Sequence, residues 1–195
     1  MPDKLGWRAN WGVIAPSTNT SVQPEFDEMR PRGVTNHMSR IWIPNDPVTS
    51  DAEFNNLMLN IRKEWDNAIL RVMTCNPDYL VMGMSSETFW GGLAQANELR
   101  ARMTEMTGLR VAMGSDACQA ALRCYGDIKR IGVLTPYWPI ADKNVKLFLE
   151  DCGFEVVVIK GLCCEGPTEM AQVTEKVMLD ALLELNEHNV EALPQ

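Results

Sequence analysis

Four short segments place small hydroxyl, amide or phenol side chains directly after an apolar run. They are APSTNT (15–20), GMSSET (83–88), GSDA (114–117) and TPYWP (135–139). The first three lead straight into a helical pattern. A strand, a polar turn and a helix start bring small donors beside unpaired backbone N–H groups and the positive end of a helix dipole. That combination suits a carboxylate or a phosphate. Neither GxGxxG nor GxxxxGK[ST] occurs, so a nucleotide-phosphate loop is not indicated. The second segment has an unusual tip, because Met84 can act neither as nucleophile nor as acid or base.

Each of these residues also has a plainer reading. Ser17, Asn19, Ser85 and Ser115 could each serve only as a helix N-cap. Tyr137, close to two prolines, could be a packed turn residue. Glu87 suits a capping box or a solvent-facing position better than a general base. What favours a site is the coincidence of several such loops. In an open parallel sheet, ligands bind at the carboxyl ends of the strands, where these loops gather.

The elements that would position them alternate strand and helix. Apolar runs at 11–15, 37–44, 78–84, 109–114, 130–136 and 154–161 read as strands. Between them lie helical patterns at 19–30, 51–75, 92–107, 115–126, 141–153 and 174–189, the first capped from Ser17, Thr18 or Asn19. In the longest, Phe54, Leu57, Met58, Ile61, Trp65, Ile69 and Val72 recur near the 3.6-residue period, behind Ser50 and Asp51. Ser115 or Asp116 and Thr174 are the natural caps of two later helices. Repeated β-α units with nearly continuous apolar strands predict an α/β fold, a parallel sheet covered by helices on both faces. The expected organisation is a first half at 1–110 and a second at 111–195. VEALPQ (190–195) looks like the start of another strand, so the natural domain is expected to be longer.

Composition narrows the partners. With 46% hydrophobic and 23% charged residues the chain fits an ordinary globular protein, and its net charge of −8 argues against nucleic acid or an anionic membrane as partner. No apolar run approaches the roughly 20 residues of a membrane span, and no signal peptide is visible, so a cytoplasmic location is expected. Six cysteines without a CxxC pair, and two histidines far apart, do not predict a zinc site. The thiols read as reduced and mostly buried, with Cys163-Cys164 in a Gly/Pro-flanked loop as the partial exception.

IAPSTNT after the first strand, MGMSS after the third and LTPY after the fifth, in that order, resemble the aspartate/glutamate racemase superfamily. The resemblance is to its branch of maleate cis-trans isomerases and arylmalonate decarboxylases, and it runs from about Trp11 to the end. It implies two pseudo-symmetric, flavodoxin-like halves with the site between them, and an enzyme that uses no cofactor. It also implies that Ser17 and Asn19 contact a substrate carboxylate, with Pro16 shaping the wall. Ser85 and Ser86, with backbone N–H groups, would form an oxyanion pocket, and Tyr137 would donate to the same carboxylate. Loss of CO₂ or of a proton beside a carboxylate builds an enediolate, and neutral donors aimed at it in a dry pocket stabilise that charge.

Two departures stand out. Relatives carry a cysteine where this chain has Met84, so a thiol-based isomerisation or two-base racemisation cannot run as it does there. The second family cysteine follows the strand that begins here near Val190, beyond the printed chain. Cys118, Cys163 and Cys164 match neither position; Cys118 is the thiol to test. The expected function is an isomerase or decarboxylase (a lyase) acting on a small dicarboxylic or aryl-substituted acid, with Met84 as pocket wall. The alternatives are a carboxylate-binding protein without turnover, and an unrelated α/β enzyme using Ser85 or Ser86 as nucleophile, which lacks a nearby His and a G-x-S-x-G turn. The expected partner is a small carboxylate, and a homo-oligomer is left open. Trp42, Trp90 and Trp138 suit either pocket walls or a subunit face.

Overall fold

A computed structural model describes residues 4–195. Strand β1 (Ala9–Pro16) lies between β2 (Val34–Ile41) and β3 (Tyr79–Met82), and β4 (Val111–Ala112) completes a parallel sheet of order β2-β1-β3-β4. Helices α1 (Val22–Met29) and α2 (Asp51–Met73) connect the first three strands. The short α3 (Ser86–Phe89) and α4 (Gly92–Thr107) lead to β4, and α5 (Gly114–Cys124) leaves it. In the second sheet β5 (Arg130–Thr135) pairs in parallel with β6 (Glu155–Gly161) around α6 (Pro139–Asp151). Helices α7 (Pro167–Met170) and α8 (Glu175–Leu185) follow.

Residues 190–195 run along the other side of β5. Gly132 N–H donates to the Ala192 carbonyl at 3.0 Å and Leu134 N–H to that of Pro194 at 3.1 Å. β5 therefore lies between β6 and residues 190–195, which meet it through an isolated parallel bridge, as β1 lies between β2 and β3. The order of the first sheet is the flavodoxin-like one that the resemblance implies, and its switch point falls between the carboxyl ends of β1 and β3.

The hydrophobic core follows from periodicity. The seven apolar residues of α2 named above are all buried, joined by Ala68. Ser50 caps that helix, its hydroxyl accepting from Glu53 N–H, and Thr174 caps α8 by accepting from Val177 N–H. Central strand β1 buries Gly12-adjacent Val13, Ile14 and Ala15 completely, as a strand packed on both faces must.

Several local expectations are corrected. β2 starts at Val34 rather than His37, because all eight residues of β1 pair opposite 34–41. Helix α1 starts at Val22 instead of Asn19; Ser21 holds the position before it without a side-chain capping bond, and Asn19, one of the three caps expected, serves the helix start with its side-chain oxygen. Helix α5 starts at Gly114 with Met113 as its cap and no side-chain capping bond, so neither Ser115 nor Asp116 fills that role. Ser115 N–H instead meets the Thr88 hydroxyl at 3.2 Å, and Asp116 pairs with Arg100 at 2.5 Å. The strand expected at 109–114 shrinks to the two residues of β4, which pair with Leu80 and Val81. That pairing carries the first sheet past residue 110. No helix among the described residues is long and apolar enough to cross a membrane.

Candidate active site

The carboxyl ends of β1, β3 and β5 open onto one cavity of about 570 Å³. All four loops reach it, through Pro16 and Asn19, Met84 to Ser86, Gly114, and Thr135 to Tyr137. Six of the seven residues singled out from the sequence line it. Ser17 is the one that does not. Its hydroxyl accepts from Ile43 N–H at 3.1 Å and faces the Ile43 carbonyl at 3.3 Å, clamping the end of β1 to the chain leaving β2.

Asn19 divides its amide between two tasks. Its oxygen accepts from the N–H groups of Ser21 and Val22, at 3.0 and 2.8 Å, and so satisfies the start of α1. Its NH₂ group has no partner among the described residues, and the residue lines the cavity.

The other side of the cavity is built by two loops from different halves. Ser85 is the residue before α3, but its hydroxyl caps nothing. It turns instead to the Tyr137 hydroxyl, 2.6 Å away. That geometry replaces the plain N-cap reading of Ser85. Ser86 is buried at the start of α3, and its hydroxyl has no partner among the described residues. Tyr137 is buried edge-on against Phe54, with ring centroids 5.8 Å apart. Burial raises its pKa, the Ser85 hydrogen bond opposes this, and the charge of Asp142 adds to the rise. The phenol therefore stays a neutral donor at neutral pH.

Met84 is buried between Gly83 and Ser85 with its side chain on the cavity wall. Cys118 is the one cysteine lining the cavity, and burial raises its pKa, so it stays a thiol. Among the described residues no Lys or Arg lines the cavity, and Glu25 is its one charged lining residue. An anion bound here would meet neutral donors in apolar surroundings, where hydrogen bonds are strong because water does not compete. Among the described residues no group of three His, Cys, Asp or Glu side chains could hold a metal ion.

The surroundings hold several surprises. Glu87 neither completes a capping box nor faces solvent. Its carboxylate takes both nitrogens of the Arg62 fork, at 2.6 and 2.9 Å, and Arg62 lies over the Trp90 ring at 5.2 Å. Burial raises the Glu87 pKa while Arg62 opposes the rise. The three tryptophans do not line the cavity: Trp42 is exposed, Trp90 stacks near Phe54, and Trp138 donates to the Cys164 carbonyl at 3.0 Å. His37 meets Thr35 at 2.9 Å on β2 and His188 follows α8, so neither lines the cavity as a base for Ser85 or Ser86. Sequence reasoning also missed Asp142 and Thr88, buried polar residues that hold the two loops.

A family model described as arylmalonate decarboxylase matches residues 75–193. A cysteine-to-serine mutant of Nocardia farcinica maleate cis-trans isomerase, solved with a covalently bound succinylcysteine intermediate, shares the fold with a TM-score of 0.81. It is 19% identical, with 94% of this chain and 76% of that chain covered. Maleate isomerase Iso from Pseudomonas putida S16 gives 0.72 at 19% identity, over 94% of this chain and 76% of that chain. Unliganded arylmalonate decarboxylase gives 0.68 at 19% identity, over 91% and 71%. No curated protein matches the chain in sequence.

Proposed function

The chain belongs to the arylmalonate decarboxylase family, in the aspartate/glutamate racemase-like branch that includes the maleate isomerases, and from this we propose a reaction. The reaction is isomerisation or decarboxylation of a small dicarboxylic or aryl-substituted acid, without a cofactor, through an enediolate-type intermediate. The observation that carries it is the 2.6 Å contact between Ser85 and Tyr137, hydroxyls from two halves that meet on the wall of a cavity without cations. On binding, the Ser85–Tyr137 bond gives way, so that Ser85, Ser86 and Tyr137 each have their one proton to donate to the substrate carboxylate, which they stabilise as charge develops. Asn19 offers its NH₂ group from the facing wall, Pro16 and Met84 limit the space, and Ser17 acts through the backbone it clamps.

Neutral donors are the right kind for this task. They bind the substrate carboxylate without a permanent counter-charge, and their bonds strengthen as the second negative charge builds. The Met84 thioether gives no proton and forms no adduct, so the proton delivered to carbon comes from another group or from water.

Steady-state turnover of phenylmalonate and maleate by the wild type and by Ser86→Ala tests this reading. The expected result is turnover of one of the acids by the wild type and a loss of about 10²-fold in the variant. A wild type that is stabilised by these acids but turns over neither is a binding protein, and the reaction is then wrong.

A further inference from the structure

The Tyr137 phenol can act only if the loop carrying it is fixed, and that loop is fastened from behind by one buried carboxyl. Asp142 lies in the first turn of α6 and is buried. Its Oδ1 accepts from the Thr135 hydroxyl at 2.5 Å. The Thr135 oxygen accepts in turn from the Tyr137 backbone N–H at 3.1 Å. Because that oxygen receives the amide proton, its own proton is directed to Asp142, and the order of the chain is set. Any acceptor oxygen in the place of Oδ1 preserves it, whereas a hydrocarbon breaks it.

The packing around this relay leaves no slack. A Cβ at Gly161 would collide with Asp142 Oδ2 and lie 2.6 Å from the Tyr137 carbonyl oxygen. The same carbonyl accepts from Cys163 N–H at 3.1 Å, so the Tyr137 backbone is held on both its N–H and C=O sides. No cation is paired with Asp142 among the described residues. Asp51, at the start of α2, adds a like charge, and its own carboxylate accepts from Ile140 N–H at 2.9 Å. Burial first, then Asp51, push the Asp142 carboxyl up to about 6 against the Thr135 bond. A carboxyl kept in such a place at a cost to stability is consistent with a positional duty.

We propose that Asp142 is a positioning residue: through Thr135 it fixes the Tyr137 backbone, and so places the phenol that meets Ser85. This rests on the reading of Tyr137 as a donor to the substrate. The test therefore has one readout that needs no substrate, the hydrogen–deuterium exchange of the Tyr137 amide in the free protein. The second readout is kcat and KM with phenylmalonate and maleate. Asp142→Ala is expected to speed Tyr137 amide exchange about tenfold or more. It should lower kcat by about 10²-fold with KM little changed, because a misplaced donor is felt chiefly in the transition state. Asp142→Asn keeps an acceptor oxygen and is expected to restore both. Should Asp142→Ala fail to fold, Thr135→Val removes the same link with a side chain of similar size. Unchanged Tyr137 exchange in Asp142→Ala or Thr135→Val, or an Asp142→Asn variant as impaired as either, overturns the proposal. If the wild type turns over neither acid, the proposed reaction fails, while the exchange rates still decide the role of Asp142.

Discussion

The two hydroxyl-bearing loops of the cavity are anchored differently. The Ser85–Ser86 loop is held by residues packed around the first sheet. The Thr88 hydroxyl donates to the Ser85 carbonyl at 2.7 Å and accepts from Ser115 N–H at 3.2 Å, while Glu87 is tied to Arg62. The Thr135–Tyr137 loop is held within the second half, by Asp142 behind it and by the backbone N–H groups of Cys163 and Cys164 beside it. Each loop has its own anchors, and among the described residues the hydroxyl pair is the hydrogen bond that joins the two. The site therefore depends on how the halves are seated as well as on either loop. That seating rests on one apolar core shared by both halves, in which Phe89 meets Phe148 edge-on with ring centroids 5.2 Å apart, and on polar ties such as Gly91 N–H to Asn144 at 2.8 Å, Leu93 N–H to Asp151 at 3.0 Å and Ile140 N–H to Asp51 at 2.9 Å.

Breaking the meeting point should have the largest effect. Tyr137→Phe removes the donor from the second half and is expected to cost about 10²–10³-fold in kcat, with a nearly unchanged melting temperature, read by steady-state kinetics and calorimetry. A smaller effect separates the anchors by pH. The Asp142 carboxyl rises from 3.8 to about 6 on folding, equivalent to at most about 3 kcal/mol. Below pH 3.8 both folded and unfolded forms hold the proton, and the group costs nothing. As pH rises toward about 6 the unfolded chain ionises first, so stability is lost across that window. Asp142→Asn lacks this loss. Its stability advantage over the wild type, measured by urea unfolding, should grow from about pH 4 to about pH 6 and then level off.

Thr88→Val tests the first-half anchor. It strips a buried hydroxyl from between the Ser115 N–H and the Ser85 carbonyl, and should cost about 2 kcal/mol in stability together with some turnover. Asn144→Ala leaves the Gly91 N–H without its acceptor between the halves and is expected to cost about 1 kcal/mol. If it lowers turnover more than it lowers stability, the seating of the halves is felt directly at the hydroxyl pair.

The residues that line the cavity were legible in the sequence and their anchors were not, for a physical reason. Ser85, Ser86 and Asn19 sit in strand–turn–helix segments, and parallel α/β topology sends such segments to one end of the sheet whatever surrounds them. Asp142, in the first turn of a helix, reads as an ordinary partner of the helix dipole. Only the tertiary fold puts Thr135 on one side of it and Gly161 on the other. Glu87 reads as a cap until Arg62, a full strand and loop away in sequence, is brought to it. The hydroxyl of Ser17 was legible as a small donor, but its use on Ile43 depends on how the chain leaves β2. Strand β4 is shorter than its apolar run because Leu109 and Met113 flank the two residues that have a partner on β3.

The central claim is that hydroxyls from the two halves jointly stabilise an enediolate in a cavity without cations. Its most direct test is proton NMR of phenylmalonate and maleate incubated with the wild type and with Tyr137→Phe under identical conditions. The account predicts conversion of one of these acids by the wild type, and a rate at least about 10²-fold lower in the variant. Equal rates in the two proteins, or no conversion by a folded wild type, would contradict it.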